Sequence, residues 1–251
     1  MRIAISGTAH SGKTTLLKSF LYTWNNYESP STSYREILKE KKLNHSKETT
    51  PETQTVILDH LVDTVQGYKI DENVIYDRCP LDALVYTLWA HEKGIEGFDK
   101  KFVTNQIAMC RESMRSLDII FLSRFDIAQK IEAKKDGTRE TDVEFIKEIN
   151  NLFYTVYMQY MANPTSDVFF PAGDSPTVIL LPNHGQARVD LIAEYVTPEG
   201  TMYGEEESIL NPENLSELEN LVELQKEQLD REEKDKALFE KFGIEQNQFK
   251  F

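Results

Sequence analysis

Gly7-Thr8-Ala9-His10-Ser11-Gly12-Lys13-Thr14-Thr15 is the stretch of this sequence that decides its fold. It follows a short apolar segment, residues 2–6, and precedes a segment with helical character, from Lys13 to about Asn25. The spacing of its glycines, its lysine and its threonine matches the P-loop pattern GxxxxGK[ST], in the strand, loop and helix order that the pattern requires. Without those flanks, the same residues would indicate only a glycine-rich turn.

The residue types in this loop predict a site for the phosphates of a nucleotide. The glycines allow backbone angles that are closed to other residues, so successive N–H groups can curl around a phosphate. The N-terminal end of the following helix adds positive charge. We expect Lys13 to reach the β- and γ-phosphates and the hydroxyl of Thr14 to ligate Mg²⁺. The residues expected to bind the nucleotide are Gly7, His10, Ser11, Gly12, Lys13, Thr14 and Thr15.

Short apolar segments alternate with helical ones over the first 195 residues. Strands are predicted at residues 2–6, 31–33, 73–77, 117–122 and 177–181. Helices are predicted at 13–25, 34–42, 51–67, 81–94, 98–116, 141–161 and 189–195. Strands joined by long helical crossovers form a parallel sheet that is covered on both faces. The sequence therefore predicts an α/β fold with a doubly wound, five-stranded parallel sheet, which binds ligands at the carboxyl ends of its strands.

Two charged residues end the strand predicted at 73–77. A carboxylate at the position of Asp77 can join Thr14 in holding Mg²⁺, or can accept the proton of an attacking hydroxyl. Asp77 could instead cap the helix that begins near Pro80, a role open to Asp82 as well. The guanidinium of Arg78 can recognise a phosphate or a carboxylate bidentately, or can form a surface ion pair with Asp82.

A cationic segment, residues 124–141, follows the strand predicted at 117–122. Arg124 lies at its start, and Arg139 belongs to the turn Asp136-Gly137-Thr138-Arg139-Glu140 between two predicted helices. Such a hairpin can close over a transferring phosphoryl group, supply compensating charge and exclude water. We expect a lid at about 124–141, with Arg124 and Arg139 as catalytic cations. The alternative is a solvated, charged face.

Together, the P-loop, Asp77-Arg78 and residues 136–141 ahead of a long helix resemble the P-loop nucleoside and nucleotide kinases. The likeness is greatest to ATPase-like kinase domains related to ribosylnicotinamide kinase, with thymidylate kinase-like enzymes more distant. It covers roughly residues 1–195. The resemblance implies a P-loop kinase domain at residues 1–200 that uses ATP and Mg²⁺.

The same resemblance implies an acceptor site near the strand predicted at 31–33. Arg35 lies where the family places an arginine that contacts the acceptor, and the neighbouring Tyr34 could stack on a base. The family commonly carries a glutamate three residues before this arginine, but this chain has Thr32 there. The departure favours Asp77 as the base, with Arg35, Arg78 and Tyr34 on the acceptor side.

The composition argues against several classes of partner. With 42 acidic and 28 basic residues, the chain has a formal charge of −14, a poor match for sequence-independent binding to DNA. Its two cysteines lack metal-ligand spacing and predict free thiols in a reducing cytoplasm. No apolar run approaches membrane-spanning length. We therefore expect a soluble, cytoplasmic protein without a membrane partner.

The last fifth of the chain differs in charge and pattern from the rest. Residues 205–251 carry fourteen acidic and six basic side chains. Within them, an apolar stripe at helical spacing runs through Leu215, Leu218, Leu221 and Val222. We expect an acidic helical C-terminal extension at residues 201–251. It could fold back on the domain, pair with a second copy to form a homo-oligomer, or remain a solvated tail.

The leading functional hypothesis is an ATP- and Mg²⁺-dependent kinase that acts on a nucleoside, a nucleotide or a related small acceptor. One alternative is a kinase acting on a hydroxymethylated base in DNA. The excess of acidic over basic residues argues against it. Another is a regulatory NTPase that switches a protein partner, against which the lack of a guanine-reading Asn-Lys-x-Asp motif argues. A module that only senses nucleotide is a further alternative.

Overall fold

The central element of the protein is a sheet of four parallel strands, seen in a computed structural model that describes residues 1–30, 34–69, 71–125, 140–162, 176–183 and 185–202. The strands are β1 (Arg2–Ser6), β2 (Val74–Asp77), β3 (Ile119–Leu122) and β4 (Thr177–Leu180). Their order across the sheet is β2-β1-β3-β4. Almost all of the described residues belong to one compact unit, Met1–Thr201.

The sequence predicted five strands, of which the described residues contain four. The remaining segment, 31–33, lies outside the described residues. Just before it, Glu28 forms a single parallel bridge to Val74. The Glu28 N–H donates to the carbonyl of Asn73, and the Ile75 N–H donates to the carbonyl of Glu28, both at 2.9 Å. The chain thus meets the outer edge of β2 for one residue pair, and a fifth strand stays a prediction.

Seven α-helices lie within the described residues. They are α1 (Lys13–Thr23), α2 (Tyr34–Lys41), α3 (Pro51–Gln66), α4 (Pro80–Glu92), α5 (Lys100–Ser113), α6 (Val143–Ala162) and α7 (Gly185–Ile192). Short 3₁₀ turns occupy Ser46–Glu48 and Met114–Ser116. Over this part of the chain, no helix combines the length and the apolar character needed to cross a bilayer.

Local capping explains where two of these helices begin. The side chain of Thr50 accepts a hydrogen bond from the Thr53 N–H, and Pro51 follows as the first residue of α3. The carboxylate of Asp99 accepts from the Phe102 N–H at 2.8 Å, so α5 begins at Lys100 rather than at residue 98.

The prediction for the last helix was wrong in its position. This helix, α7, begins at Gly185, four residues before the predicted start at 189, and it ends at Ile192. An exposed hydrogen bond from Gln186 to Asp190 spans its first turns. These polar residues do not produce the apolar periodicity on which the sequence-based prediction relied.

Both faces of the sheet are buried, as a doubly wound fold requires. Alternate strand residues on one face join a large apolar cluster with residues of α3, α4, α5 and α6, namely Ala4, Val74, Tyr76, Ile120, Leu122 and Val178. The intervening residues are also buried, namely Ile3, Ile5, Ile75, Ile119, Phe121 and Ile179. Helix α1 packs against β1, β2 and α7. The predicted α/β architecture is therefore confirmed.

The strand order brings three loops together at the carboxyl edge of the sheet. Because β1 lies between β2 and β3, the loop after Ser6 runs between the ends of both neighbours. The Arg78 N–H donates to the carbonyl of Ile5 at 3.0 Å, and the Ser123 N–H donates to the carbonyl of Ser6 at 2.8 Å. Residues 7–12 are thus bordered by Asp77 and Arg78 on one side and by Ser123 on the other.

Two buried tyrosines provide a test of the core. The hydroxyl of Tyr76, which is 1 % exposed, has no hydrogen-bond partner among the described residues, whereas the hydroxyl of Tyr27, 5 % exposed, donates to the carbonyl of Gly200 at 2.6 Å. We expect Tyr76→Phe to raise the free energy of unfolding by about 1 kcal/mol, because it removes an unsatisfied buried group. The matched variant Tyr27→Phe should lower it by about 1 kcal/mol. Urea denaturation measures both, and a loss of stability in Tyr76→Phe would contradict this description.

Candidate functional site

The loop after β1 has the backbone of an anion site. Gly7, His10 and Gly12 have positive φ angles of 136°, 59° and 83°. A Cβ atom on Gly7 would lie 2.2 Å from the carbonyl oxygen of Ser123, so a side chain cannot be accommodated there. Left-handed residues in such a loop turn successive N–H groups toward one concave side, and the N-terminus of α1 begins at the next residue, Lys13.

Lys13 is buried against this loop. Its Nζ atom donates to the carbonyls of Gly7 at 2.7 Å and Thr8 at 2.5 Å, and lies 3.3 Å from the Oγ atom of Ser11. Burial, together with the nearby cation of Arg78, holds the pKa of Lys13 well below its usual range. A phosphate group beside this amine would favour its charged form, so anion binding and protonation of Lys13 support each other.

Thr14 and Asp77 form an exposed pair of oxygen ligands in front of the loop. The Thr14 hydroxyl donates to the Oδ2 atom of Asp77 at 3.3 Å. A hydroxyl and a carboxylate suit Mg²⁺, which usually takes one or two protein oxygens and completes its shell with water and phosphate oxygens. No group of three or more His, Cys, Asp or Glu residues in the described part of the chain could hold a metal. Thr14 and Asp77 therefore fit a nucleotide-bound Mg²⁺.

Behind the loop, the buried carboxylate of Asp82 gathers four donors. Arg78 Nη1 donates to it at 2.7 Å, the Cys79 N–H at 3.2 Å and the Gly7 N–H at 3.4 Å. The hydroxyl of Ser6 donates to it as well. The carboxylate thus ties the end of β1, the first loop peptide and the start of α4 into one buried unit.

This arrangement decides between two interpretations of the sequence. Asp82 lies in the first turn of α4 and accepts from the N–H of the N-cap residue, so Asp77 does not cap this helix. The ion pair of Arg78 and Asp82 is buried, with side chains 7 % and 3 % exposed, and not on the surface.

Arg78 also has a φ angle of 91°, a strained conformation for a residue with a side chain. Strain of this kind is concentrated at functional sites.

A cavity of about 410 Å³ opens beside the loop and reaches the residues predicted for the acceptor side. The guanidinium groups of Arg35 and Arg78 lie 5.4 Å and 5.7 Å from the ring centroid of Tyr34. The structure therefore brings these three residues together next to the loop. The cavity is lined by residues 9–15 of the loop and the start of α1, and by Tyr34, Arg35, His45, Ser46, Gln54, Ile57, Asp77, Arg78, Asp82, Ala83, Tyr86 and Glu140.

Gln54 is a cavity residue that the sequence reasoning missed. Its side chain is buried, and its Nε2 atom donates to the hydroxyl of Thr49 at 2.8 Å. Its Oε1 atom is also buried and has no hydrogen-bond partner among the described residues, and it would have to turn toward the cavity to accept a hydrogen bond from a molecule there. The sequence did contain a clue to Gln54: this polar side chain falls on the same helical face of α3 as the apolar residues Ile57, Leu58 and Leu61.

Aromatic residues of α4 divide between the cavity and the core. Tyr86 lines the cavity, where burial raises its pKa to about 12, so its hydroxyl remains protonated. Trp89 packs edge-on against Phe145, with the ring centroids 4.6 Å apart, and its indole N–H donates to Glu148 at 2.8 Å. The Trp89 ring therefore belongs to the core. Only Tyr86 of these two rings is in a position to contact an acceptor.

The predicted lid lies mostly outside the described residues, and Arg139 with it. Arg124 is described: its exposed guanidinium lies 5.2 Å from the ring centroid of Tyr154, beside a second, more open cleft. His10 turns toward the start of the helical segment after the lid, and its Nε2–H donates to the carbonyl of Glu140 at 2.6 Å. The catalytic roles of Arg124 and Arg139 stay predictions.

Comparison with known proteins supplies the family and the fold. The family model described as the AAA domain matches residues 2–168. No curated protein matches the chain. Deoxyadenosine kinase from M. mycoides with bound dATP is 19 % identical, with a TM-score of 0.55 over 76 % of this chain and 96 % of that chain. Thymidylate kinase from Candida albicans is 13 % identical, with a TM-score of 0.53 over 77 % of this chain and 90 % of that chain. The likeness confirms the fold of the P-loop nucleoside and nucleotide kinases.

The two aspartates near the loop should respond differently to the same substitution. Asp82→Asn leaves Arg78 buried without its counter-charge, and we expect it to lower the free energy of unfolding by about 3 kcal/mol. Asp77→Asn removes an exposed carboxylate and should change stability by less than about 0.5 kcal/mol. Thermal and urea unfolding measure both variants. Equal losses of stability in the two variants would contradict the conclusion that Asp82 stabilises the fold and that Asp77 does not.

Proposed function

We propose that this chain, which belongs to the AAA domain family, is an ATP- and Mg²⁺-dependent phosphotransferase that acts on a nucleoside, a nucleotide or a related small acceptor. One observation carries the proposal: a single cavity is lined by the phosphate loop on one side and by Tyr34, Arg35 and Gln54 on the other. A site that only hydrolyses a nucleotide needs room for water beside the terminal phosphate. This cavity extends from the loop to Tyr34, Arg35 and Gln54, which would give a second molecule a place beside the terminal phosphate.

On the donor side, the backbone N–H groups of residues 7–14 would hold the phosphates, and Lys13 would move from the loop carbonyls to phosphate oxygens. Thr14 would hold Mg²⁺, with Asp77 either sharing the ion or meeting the attacking hydroxyl, and the ion supplies charge neutralisation when it is bound. Transfer of a phosphoryl group through a loose transition state requires mainly placement and balanced charge. The donor side of the cavity provides both.

Asp77 is our candidate for the residue that meets the attacking hydroxyl. It ends β2, is exposed, and lines the same cavity as Tyr34, Arg35 and Gln54. Its carboxylate can accept a proton or orient a hydroxyl for attack. Asp82 cannot take this role, because its oxygens are buried and already accept from four donors.

The acceptor side combines a ring, cations and an amide. Tyr34 offers an aromatic face, Arg35 an exposed cation, and Gln54 a buried amide oxygen. A planar base with an N–H group, joined to a hydroxyl or a phosphate, would use all three. The similar structures are named as kinases of deoxyadenosine and of thymidylate, a nucleoside and a nucleotide, which supports this acceptor class.

Radiolabelled ATP with Mg²⁺ and a panel of acceptors tests the proposal. The panel contains nucleosides, nucleoside monophosphates and DNA with hydroxymethylated bases. We expect labelled product from one class of small acceptor, and that acceptor should stimulate ATP consumption. Labelling of DNA alone, or hydrolysis that no acceptor stimulates, would contradict the proposal and favour a DNA kinase or a switch.

Substitutions in the loop and at the end of β2 test whether phosphoryl transfer takes place at this site. Lys13→Ala should lower turnover by at least about 100-fold, because it removes a cation from the transferring phosphate. The matched change Lys18→Ala, on the exposed face of the same helix, should leave turnover unaltered. Asp77→Asn should lower turnover by about 100-fold or more while ATP binding weakens less. Full activity in Lys13→Ala would remove the loop from the mechanism.

Gln54 gives a separate test of the acceptor side. We expect Gln54→Leu to raise the KM for the acceptor about tenfold, the effect of one lost buried hydrogen bond, and to leave the KM for ATP unchanged. Gln66→Leu, an exposed position at the end of the same helix, is the control. Steady-state kinetics with both substrates varied measures these values. A change confined to the KM for ATP would contradict the assignment of Gln54 to the acceptor.

A further inference from the structure

We propose that Arg188 of α7 is a positioning residue that fixes the orientation of the Ser11–Gly12 peptide, so that the Gly12 N–H faces the nucleotide. The inference rests on the proposed function, since it concerns how the loop binds phosphate. Arg188 lies outside the P-loop pattern and is separated from Ser11 by 177 positions in the sequence. Its side chain is nevertheless buried directly behind the loop, at 6 % exposure.

The guanidinium of Arg188 joins three loops at the carboxyl edge of the sheet. Nη1 donates to the carbonyl of Ser11 at 2.6 Å, after β1, and Nε donates to the carbonyl of Pro182 at 2.7 Å, after β4. Nη2 lies 3.4 Å from the carbonyl of Arg124, after β3. A planar fork with five donors can reach three acceptors in fixed directions, which a lysine ammonium cannot do.

The carbonyl of Ser11 is held from behind by two donors. It accepts from Arg188 Nη1 and, also at 2.6 Å, from the hydroxyl of Ser123. The described backbone contains no cis peptide bond, and in a trans peptide the C=O and the next N–H point in opposite directions. With the Ser11 oxygen drawn toward α7 and β3, the N–H of Gly12 is directed to the opposite side. Both residues line the cavity on that side.

The close approach of Arg188 also explains the second glycine of the motif. A Cβ atom on Gly12 would lie 2.9 Å from Nη1 of Arg188, and the φ angle of Gly12 is 83°. The positive φ angle is what favours glycine here, and a Cβ atom would in addition displace the guanidinium from the position in which it holds the loop. A buried cation directly behind the loop also adds to the positive potential that favours a polyphosphate.

Calorimetric titrations of the full chain with inorganic tripolyphosphate and with ATP, both with Mg²⁺, test this inference. The variants are Arg188→Met, Arg188→Lys and Ser123→Ala, with Arg115→Met at an exposed position as the control. We expect Arg188→Met to weaken the binding of both probes about tenfold, which is the effect of one lost charge-assisted hydrogen bond. Arg188→Lys should recover part of the loss, and Ser123→Ala should weaken binding less than Arg188→Met.

In steady-state kinetics, the KM for ATP should rise in Arg188→Met while the KM for the acceptor stays constant, a pattern that a general loss of stability would not produce. Wild-type affinity for tripolyphosphate in both Arg188→Met and Ser123→Ala would overturn the inference. Should Arg188→Met fail to fold, unchanged affinity in Ser123→Ala and in Arg188→Lys would overturn it equally. If the wild-type chain binds neither probe, the proposed function itself fails, which is a different result.

Discussion

The site depends on one constraint: the peptides of residues 7–12 must turn their N–H groups to one side. Buried groups enforce this from behind the loop. Asp82 holds the first loop N–H on the side of β2, and Ser123 holds the carbonyl of Ser11 on the side of β3. Lys13 donates to carbonyls of the same loop. A loop tied in this way would meet a polyphosphate with its donors already oriented, and little conformational entropy would then be lost on binding.

The position of β1 in the sheet makes this arrangement possible. As an inner strand it has a partner on each side, so its loop receives side chains from both neighbouring strand ends. On one side, the carboxylate of Asp77 is exposed, whereas the guanidinium of Arg78 is buried against Asp82, although the two residues are adjacent in sequence. The positive φ angle of Arg78 accompanies this difference. One short segment thus supplies an exposed carboxylate, which we propose for chemistry, and a buried cation paired with Asp82.

Much of this was predictable from the sequence, because it is encoded locally. The glycine spacing, the apolar segment before it and the helix after it predicted the loop, and the alternation of strands and helices predicted the parallel sheet. The missed features depend on contacts between distant residues. Gln54 is an ordinary helix residue until Thr49 and the cavity surround it, and Arg188 contacts Ser11 only when the sheet brings α7 behind β1. The contact of Arg124 with Tyr154 likewise depends on the packing of α6.

The central claim is that donor and acceptor occupy one cavity, on either side of Asp77. A bisubstrate compound, in which adenosine is linked through a chain of phosphates to the accepted nucleoside, tests it most directly by competition calorimetry. The account predicts one molecule bound per chain, displacement of both ATP and the acceptor, and tighter binding than that of ATP alone. Displacement of ATP alone, without any gain in affinity, would contradict it.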